Sequence, residues 1–448
     1  MTFQDLNLNK ALLNALSDMG MTIPTAIQEK TFSPIMAGRD VLGIAQTGTG
    51  KTFAYLLPSL RLWKYSKSML PQILIIVPTR ELVAQVVEEV EKLSVYTNVK
   101  CVGVYGGTNI RTQKAYLTDG ADVVVGTPGR LQDLMLDGVL KTKDVKKMII
   151  DEVDEMLHLG FRTQLNMILD FLPQRRQNLM FSATLNDEVE QVIGQFSDRY
   201  ERIEAAPSGA PLENIDQSGY SASNFNTKAN LLELLLSRSD EMSRVLVFVS
   251  TRRKADALYD RMLPILGEDL GVIHSSKSQN NRFNSVSNFQ SGEHRVLIAT
   301  DIIARGLDVS MVTHVVNFDL TDTPEQYIHR IGRTGRAEAK GQAISFISEQ
   351  EETYKKAIEE LMSLEIGMLD VPEDLEISDE LIPLELTVEH TPYDHRKNKQ
   401  HVPTGAAFHE KKEANKKVNF HITRDEANKR KYKKSGKKKK KKDRMKKW

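Results

Sequence analysis

The chain has 448 residues, more than one hydrophobic core usually organises, so at least two domains are expected. Hydrophobic residues make up 40% and charged residues 27%, and no segment approaches the roughly 20 apolar residues that cross a bilayer, so a non-membrane protein is predicted. The first ten residues lack the pattern of a secretory signal, and Cys101 alone cannot form an intramolecular disulfide, which favours a cytoplasmic location.

The formal net charge of +1 conceals an asymmetry along the chain. Residues 424–448 contain 15 Lys or Arg and 3 Asp or Glu, a charge of +12, which leaves −11 on residues 1–423. Counterion release makes contacts between such a basic segment and a polyanion favourable but sensitive to salt. The pattern predicts a tail that attracts a polyanion; a tail that only improves solubility is the alternative.

Short runs rich in apolar and β-branched residues recur in the first half and are typical of buried strands. Between the first two runs, residues 80–94 place apolar side chains at helical spacing along one face. A strand, a helix and a second strand predict a parallel sheet. The runs are QILIIVP from Gln72, ADVVVGTP from Ala121, KKMIID from Lys146 and NLMFSAT from Asn178.

The periodicity is lost after Ala205, where Pro, Gly and Ser accumulate, so we place a linker at residues 206–218. The sequence therefore predicts an α/β fold of two tandem parallel-sheet domains, at residues 1–205 and 219–386. The strand runs of the second domain are SRVLVFVST from Ser243, HRVLIATD from His294, THVVNFDL from Thr313 and QAISFIS from Gln342.

Residues 387–448 are predicted to form a separate tail. The chain becomes acidic from about Asp370, turns polar from Tyr393 and contains six consecutive lysines at Lys437–Lys442. Such a composition cannot bury enough apolar surface to order itself, so a disordered, lysine-rich tail is expected.

The sharpest motif is AQTGTGKT, which follows the apolar VLGI and precedes a helical run. Glycines in such a loop let backbone N–H groups approach phosphate oxygens, the lysine offers a charge to the β- and γ-phosphates, and the last threonine can hold Mg²⁺. The strict pattern begins with Gly, and Gly-rich turns also produce such loops by chance. The motif predicts a nucleoside triphosphate site at Ala45, Gln46, Thr47, Gly48, Thr49, Gly50, Lys51 and Thr52.

A second signal is the pair of carboxylates in MIIDEVD. Asp151 and Glu152 follow a predicted strand, at the edge where ligands bind in open α/β sheets. Asp151 suits Mg²⁺, partly through water, and Glu152 suits a base that orients the attacking water. Adjacent carboxylates are also common in surface turns, so this assignment depends on the phosphate loop.

A third signal is HRIGRTGR, which places Arg330, Arg333 and Arg336 three residues apart and gives a basic stripe if the segment is helical. An arginine directed at the γ-phosphate from another domain stabilises the charge of the transition state and makes hydrolysis depend on domain closure. A solvent-facing or RNA-facing basic helix is the alternative.

Together these motifs resemble the DEAD-box RNA helicases over nearly all of residues 3–386. In the first domain they are PTAIQ with Gln28, AQTGTGKT, PTREL at Pro78–Leu82, the pair Gly106–Gly107, TPGR at Thr127–Arg130, DEVD at Asp151–Asp154 and SAT at Ser182–Thr184. In the second domain they are VFVST ending at Thr251, SQNNR at Ser278–Arg282, ATDIIARGLD at Ala299–Asp308 and HRIGRTGR at His329–Arg336.

The resemblance implies two RecA-like domains that hydrolyse ATP with Mg²⁺. Gln28 and Thr25 would read the adenine edge, whose donors and acceptors a side-chain amide can match. Phe3 would support this segment, and Asp308 would contact the ribose. Catalysis would be carried by Lys51, Glu152, Arg333 and Arg336. The ATP site would be coupled to the RNA face by Asp154, Ser182, Thr184 and His329.

The resemblance also implies contacts to RNA phosphates and 2′-hydroxyls more than to base edges, so weak sequence selectivity is expected. The residues implied are Arg80, Gly107, Thr127, Arg130, Gln279, Arg282 and Thr300. The partners expected are single-stranded or short duplex RNA, structured RNA for the tail, and complexes of ribosome assembly or RNA turnover.

Three positions depart from the family pattern. Val153 replaces an alanine, and overpacking there would cost about 1 kcal/mol and slow the reaction. Met21 stands where an aromatic side chain usually stacks on adenine, and its thioether offers less contact area. Ser275 follows His274 where glycine is usual, and no functional change is predicted from it.

The function predicted is local RNA unwinding or remodelling of RNA–protein complexes. ATP and RNA together close the two domains and bend one strand, and hydrolysis reopens the cleft. A DNA helicase is an alternative that the Gln28 motif with PTREL, SAT and HRIGRTGR disfavours. An ATP-gated RNA clamp or assembly scaffold is a further alternative, and the presence of Lys51, Glu152 and Arg336 argues against it.

Overall fold

The computed structural model describes residues 1–46, 48–197, 199–205, 214–301, 312–335 and 340–386. Residues Met1–Thr387 form one compact unit that contains two seven-stranded sheets. The predicted tail and the site residues Thr47, Asp308 and Arg336 lie outside the described residues. Within those ranges, no helix is both long enough and apolar enough to cross a membrane.

The first sheet has the strand order β3-β4-β2-β5-β6-β1-β7, and its paired strands are parallel. The strands are β1 (Val41–Ile44), β2 (Ile73–Ile76), β3 (Cys101–Val104), β4 (Val123–Gly126), β5 (Lys147–Ile150), β6 (Gln177–Ser182) and β7 (Glu201–Glu204). The helices are α1 (Lys10–Asp18), α2 (Ala26–Met36), α3 (Lys51–Leu62), α4 (Arg80–Leu93), α5 (Ile110–Thr118), α6 (Pro128–Leu136), α7 (Val153–His158), α8 (Arg162–Asp170) and α9 (Asp187–Phe196).

Helices cover both faces of this sheet, which explains why its strands appear in the sequence as unbroken apolar runs. In β2, Ile73 and Ile75 enter the core on one face, while Leu74 and Ile76 enter the core on the other. The four strand runs predicted in this half and the helix at residues 80–94 are present, because each carries this apolar signal.

The second sheet has the order β10-β11-β9-β12-β13-β8-β14, again with parallel pairs. Its strands are β8 (Ile215–Ser221), β9 (Val245–Phe248), β10 (Leu270–Ile273), β11 (Val296–Ala299), β12 (His314–Asn317), β13 (Gly341–Ile347) and β14 (Gly367–Leu369). The helices are α10 (Phe225–Arg238), α11 (Arg252–Leu266), α12 (Gln279–Ser291), α13 (Pro324–Ile331) and α14 (Glu352–Met362).

The linker predicted at residues 206–218 overlaps the second sheet. Strand β8 begins at Ile215 and pairs with β13 from Gly341 onward, so residues 215–218 belong to the sheet and the linker prediction extends too far. The sequence IDQSGYS is mostly polar and carries no apolar run, so pattern reasoning does not detect this strand.

The acidic segment at residues 370–386 lies in extended form against α10. The side-chain amides of Asn226 and Asn230 donate to the main-chain oxygens of Glu380 and Glu376, both at 2.8 Å. Leu375 packs against the core of the second domain. Side chains on one helix therefore satisfy the backbone of a segment that forms no helix or strand of its own.

Candidate functional site

The loop between β1 and α3 has the backbone that phosphate binding requires. Gly48 and Gly50 have φ angles of 82° and 86°, in the left-handed region that favours glycine. The main-chain oxygen of Gly50 accepts from Nε2 of Gln28 at 3.1 Å, and Oε1 of Gln28 accepts from the N–H of Thr25 at 3.0 Å. Gln28 thus connects the predicted adenine-reading segment to the phosphate loop.

The residues expected around adenine lie at the edge of the first core. Phe3 is buried in this core, and its N–H donates to the main-chain oxygen of Thr22 at 3.2 Å. Met21 is half-buried and packs against the same core. Phe3 therefore supports the segment from behind, as the resemblance implies.

Two buried polar atoms in this region have no hydrogen-bond partner among the described residues: Nζ of Lys51 and Oε2 of Glu152. Lys51 is 6% exposed. An unpaired buried cation or carboxylate is costly unless a ligand completes it. An unpaired lysine next to left-handed glycines fits a triphosphate, and an unpaired carboxylate oxygen nearby fits a bound water.

Asp151 is buried, and both of its carboxylate oxygens are positioned. Oδ1 accepts from the N–H of Glu152 at 2.9 Å, and Oδ2 accepts from the hydroxyl of Tyr55 at 3.1 Å. Burial raises the pKa of Asp151 to about 6, against the opposing charge of Lys51. A carboxylate held in this way next to Lys51 and Thr52 has the donor chemistry that Mg²⁺ prefers.

Glu152 has a φ of 52°, which is uncommon for a residue with a side chain. This turn ends the extended backbone after β5 and lets α7 begin at Val153. Val153 is buried in the second core of this domain, where the departure from alanine places its two methyl groups. Strained backbone of this kind concentrates at functional sites.

Asp154 is the point where the four expected coupling residues meet. Its Oδ2 accepts from the N–H and the hydroxyl of Thr184, both at 2.9 Å, and its N–H donates to Oγ of Ser182 at 3.3 Å. Nε2 of His329, in the second domain, lies 3.5 Å from the same oxygen. Burial opposes ionisation of Asp154, but His329, Lys51 and Thr184 hold its pKa well below the usual range.

The two described arginines of HRIGRTGR, Arg330 and Arg333, do not share the helix that the predicted basic stripe requires. Helix α13 ends at Ile331, so Arg333 lies beyond it. Arg330 is buried and donates to both carboxylate oxygens of Asp301, at 2.5 and 2.8 Å. Arg333 is also buried, and its Nε donates to the main-chain oxygen of His329 at 3.3 Å. The helical condition for the stripe therefore fails at Arg333, because the helix ends two residues before it, and Arg336 lies outside the described residues.

Five of the seven expected RNA-binding residues line two cavities, and Gly107 and Gln279 are not among the lining residues. One, of about 420 Å³, is lined by Arg80, Thr127, Arg130 and Arg282 among others. The other, of about 690 Å³, includes Thr300. Ser275 lines both cavities. The structure therefore gathers residues from both domains around adjoining spaces.

Hydrogen bonds fix the basic side chains of this surface. Nη1 of Arg130 donates to Oε1 of Gln113 at 2.6 Å. Nη1 of Arg80 donates to Oε1 of Gln279 at 3.2 Å. Gly107 has a φ of 77°, in the left-handed region that favours glycine, and the Arg80 guanidinium occupies the space beside it. These contacts hold the guanidinium groups in place before any ligand binds.

Sequence reasoning missed Glu81, a buried carboxylate between the domains. It accepts from Nη2 of Arg282 at 2.5 Å and from Nε2 of Gln279 at 3.1 Å. Its position inside PTREL was the available signal. Gln113 and Tyr55 were also missed, and no motif marks them because their partners are distant in sequence.

The sequence matches known helicases in both halves. Residues 25–192 match the profile described as DEAD/DEAH box helicase, and residues 227–338 match the helicase conserved C-terminal domain. DEAD-box ATP-dependent RNA helicase CshA of Streptococcus pneumoniae serotype 4 is 40% identical over 364 residues, 81% of this chain and 68% of that protein. ATP-dependent RNA helicase DbpA of Bacillus subtilis is 34% identical over 376 residues, 84% and 78% respectively.

Solved structures share the arrangement. Dbp5 of S. cerevisiae bound to RNA and ADP BeF3 superposes with a TM-score of 0.75 at 29% identity, covering 82% of this chain and 95% of that chain. Mss116p (NTE and C-tail double deletion) bound to ssRNA and AMP-PNP gives a TM-score of 0.77 at 27% identity, covering 84% and 81%.

The chain belongs to the DEAD-box ATP-dependent RNA helicases. Its two parallel sheets are the tandem RecA-like domains of that family, so the predicted fold is confirmed. The predicted class of activity, an RNA-dependent ATPase and helicase, is confirmed with it.

Proposed function

We propose that this chain binds ATP with Mg²⁺ at the loop Ala45–Thr52 and couples its hydrolysis to closure of both domains on RNA. The contact between Asp154 and His329 carries this proposal. It joins the DEVD motif of the first domain, next to the ATP site, to the HRIGRTGR motif of the second domain. The domain limits proposed are residues 1–205 and a second domain that ends at 386.

The catalytic roles proposed rest on the phosphate loop, on the unpaired atoms of Lys51 and Glu152, and on the family resemblance of the arginines. Lys51 neutralises the β- and γ-phosphates, and Glu152 orients the attacking water through its unpaired oxygen. Thr52 and Asp151 would hold Mg²⁺, which would offset negative charge on the phosphates. Arg333 and Arg336 approach the γ-phosphate only when the domains close, so hydrolysis depends on closure.

Gln28, with Thr25 and Met21, is proposed to select adenine. Both polar atoms of the Gln28 amide are in use, but an amide has a second N–H and a second lone pair available for the base. Asp308 is proposed to contact the ribose, and Asp154, Ser182, Thr184 and His329 to transmit the state of the ATP site to the RNA face.

RNA is proposed to bind across the two adjoining cavities. Arg80, Arg130 and Arg282 offer guanidinium groups, which suit phosphates, while Gly107 and Thr127 offer close approach to the backbone. Gln279 and Thr300 complete the set. Readout of the backbone predicts weak sequence selectivity, and closure around one bent strand would separate short duplexes.

The tail at residues 387–448 is proposed to tether the enzyme to structured RNA, since residues 424–448 carry +12 of the formal charge. Ribosome-assembly or RNA-turnover complexes in the cytoplasm are the proposed setting.

ATP hydrolysis with and without single-stranded RNA tests these proposals. We expect RNA to raise turnover manyfold and Glu152→Gln to abolish it, with Glu188→Gln, on the exposed face of α9, as a matched control. Deletion of residues 424–448 should weaken RNA binding most at low salt. Hydrolysis that ignores RNA would favour the ATP-gated clamp.

A further inference from the structure

Tyr55 places a hydroxyl group between the two side chains proposed to hold Mg²⁺. The residue is 0% exposed and lies on α3, one turn after Thr52. Its hydroxyl donates to Oδ2 of Asp151 at 3.1 Å and also interacts with the Thr52 side chain. No motif in the sequence marks this position.

The aromatic ring fixes where that hydroxyl lies. Tyr55 packs on Phe181 of β6, with ring centroids 5.3 Å apart and planes tilted by 56°. Gly43 of β1 has no side chain, which leaves room for the Phe181 ring. Because the ring is enclosed on all sides, the hydroxyl cannot swing away from Asp151 without disturbing the core.

The Asp151 carboxylate is therefore held at both oxygens. The N–H of Glu152 donates to Oδ1 at 2.9 Å, and Tyr55 donates to Oδ2. Loss of the Tyr55 contact would let the carboxylate rotate about its terminal torsion, which is broad for aspartate.

We propose that Tyr55 is a positioning residue that fixes Asp151 and Thr52 in one geometry and thereby favours Mg²⁺ over larger cations such as Ca²⁺. Mg²⁺ demands near-ideal octahedral geometry, with oxygens at about 2.0–2.1 Å, whereas Ca²⁺ accepts longer and more variable arrangements. A carboxylate free to rotate would weaken the binding of Mg²⁺ more than the binding of Ca²⁺. This inference rests on the proposed Mg²⁺ site.

A purely structural role for Tyr55 is the competing explanation, and Tyr55→Phe separates the two because it keeps the ring and removes only the oxygen. The full chain is titrated with fluorescent ADP in EDTA, in Mg²⁺ and in Ca²⁺. Tyr96→Phe is the matched control, since the Tyr96 hydroxyl also donates to a carboxylate, Asp18 at 2.6 Å, but on the surface of the same domain.

We expect Tyr55→Phe to leave ADP affinity in EDTA unchanged and to reduce the gain in affinity from Mg²⁺ about tenfold, the usual effect of losing a partner behind a metal ligand. The gain from Ca²⁺ should fall much less, so the Mg²⁺/Ca²⁺ ratio drops. In an Asp151→Asn background, Tyr55→Phe should have little further effect.

If Tyr55→Phe loses the same ADP affinity in EDTA, in Mg²⁺ and in Ca²⁺, the inference is overturned in favour of a structural role. An unchanged Mg²⁺/Ca²⁺ ratio would overturn it as well. If the unmodified chain gains no affinity from Mg²⁺, the proposed metal site itself is wrong, a result distinct from either outcome for the variant.

Discussion

Nε2 of His329 lies 3.5 Å from Oδ2 of Asp154, although the two residues lie on helices of different domains and are both buried. The same Asp154 oxygen accepts from Thr184, in the SAT motif. One carboxylate oxygen therefore contacts residues of both domains, and the proposed coupling of ATP to RNA rests on this contact.

Removal of the His329 imidazole should reduce the stimulation of ATP turnover by RNA without weakening ATP binding. His329→Ala leaves a buried carboxylate without one partner, which commonly costs about 3–5 kcal/mol in the state where the pair is formed. Since we propose that domain closure forms this pair, we expect RNA-stimulated ATP turnover to fall at least tenfold while ATP affinity without RNA changes little. Steady-state hydrolysis with titrated RNA, together with nucleotide binding, measures both.

His294→Ala serves as the control, because its ring contacts only the main chain of Glu268 and nearby residues of its own domain. Full RNA stimulation in His329→Ala would show that the Asp154 contact does not support closure.

Glu81 should matter for closure in a way that motif assignments do not predict. This carboxylate is 5% exposed and accepts from Arg282 and Gln279 of the other domain. Glu81→Gln keeps its size and removes its charge, so RNA-stimulated turnover is expected to fall about tenfold, as for other close charge pairs between binding surfaces. RNA titrations of ATP turnover provide the measurement.

Glu88→Gln on the same helix is the matched control, since Glu88 pairs with Lys92 on the surface, where ion pairs contribute about 0–1 kcal/mol. If both variants behave alike, the buried carboxylate has no special role in joining the domains.

Local and distant features differ in how well the sequence predicts them. Gly48, Gly50 and Lys51 lie in one short loop of the sequence, so the motif itself predicts a phosphate-binding site. The contact between Glu81 and Arg282 joins residues about two hundred positions apart, and only the fold brings them together. The Tyr55 hydroxyl was missed for the same reason, since Asp151 lies 96 residues away.

The fold shows a similar division. Strands β2, β4, β5 and β6 are buried on both faces and appear as apolar runs, whereas β8 is mostly polar and residues 215–218 of it fall within the predicted linker. The end of α13 at Ile331 was not predicted, because HRIGRTGR continues the basic spacing past the helix.

Lys147 should make stability depend on pH at the alkaline end. Burial lowers the pKa of this lysine to about 8, while Asp40 opposes the shift, and its ammonium group donates to Oε1 of Gln177. Below pH 8 the lysine is charged in both the folded and the unfolded state, so burial of the charged ammonium group lowers the free energy of unfolding by its full amount. Between about pH 8 and 10.4 the unfolded state binds more protons, so stability rises with pH.

Lys147→Met removes this penalty but leaves Oε1 of Gln177 without its donor, which costs about 1 kcal/mol. We expect the variant to be more stable than the parent at pH 7 by about 1–2 kcal/mol and to lose that advantage by about pH 10.4. Urea unfolding of both proteins across this range gives the comparison, with Lys146→Met, at the neighbouring exposed position, as control. A constant difference at every pH would contradict the assignment.

Gly43 should tolerate alanine poorly, although glycine usually weakens a strand. A Cβ atom there would lie 2.5 Å from Cε1 of Phe181, a fully buried ring. Overpacking of this kind costs about 1–3 kcal/mol, and β1 leads directly into the phosphate loop, so we expect Gly43→Ala to lower both the melting temperature and ADP affinity.

Gly194→Ala on α9 is the matched control, because a Cβ atom there meets nothing within 4 Å. The same glycine-to-alanine change in a helix should stabilise by about 0.5–1 kcal/mol, so the two variants should shift the melting temperature in opposite directions. If Gly43→Ala melts at or above the parent temperature, the Phe181 ring has room to move, and the enclosure that fixes the Tyr55 hydroxyl is looser than its contacts indicate.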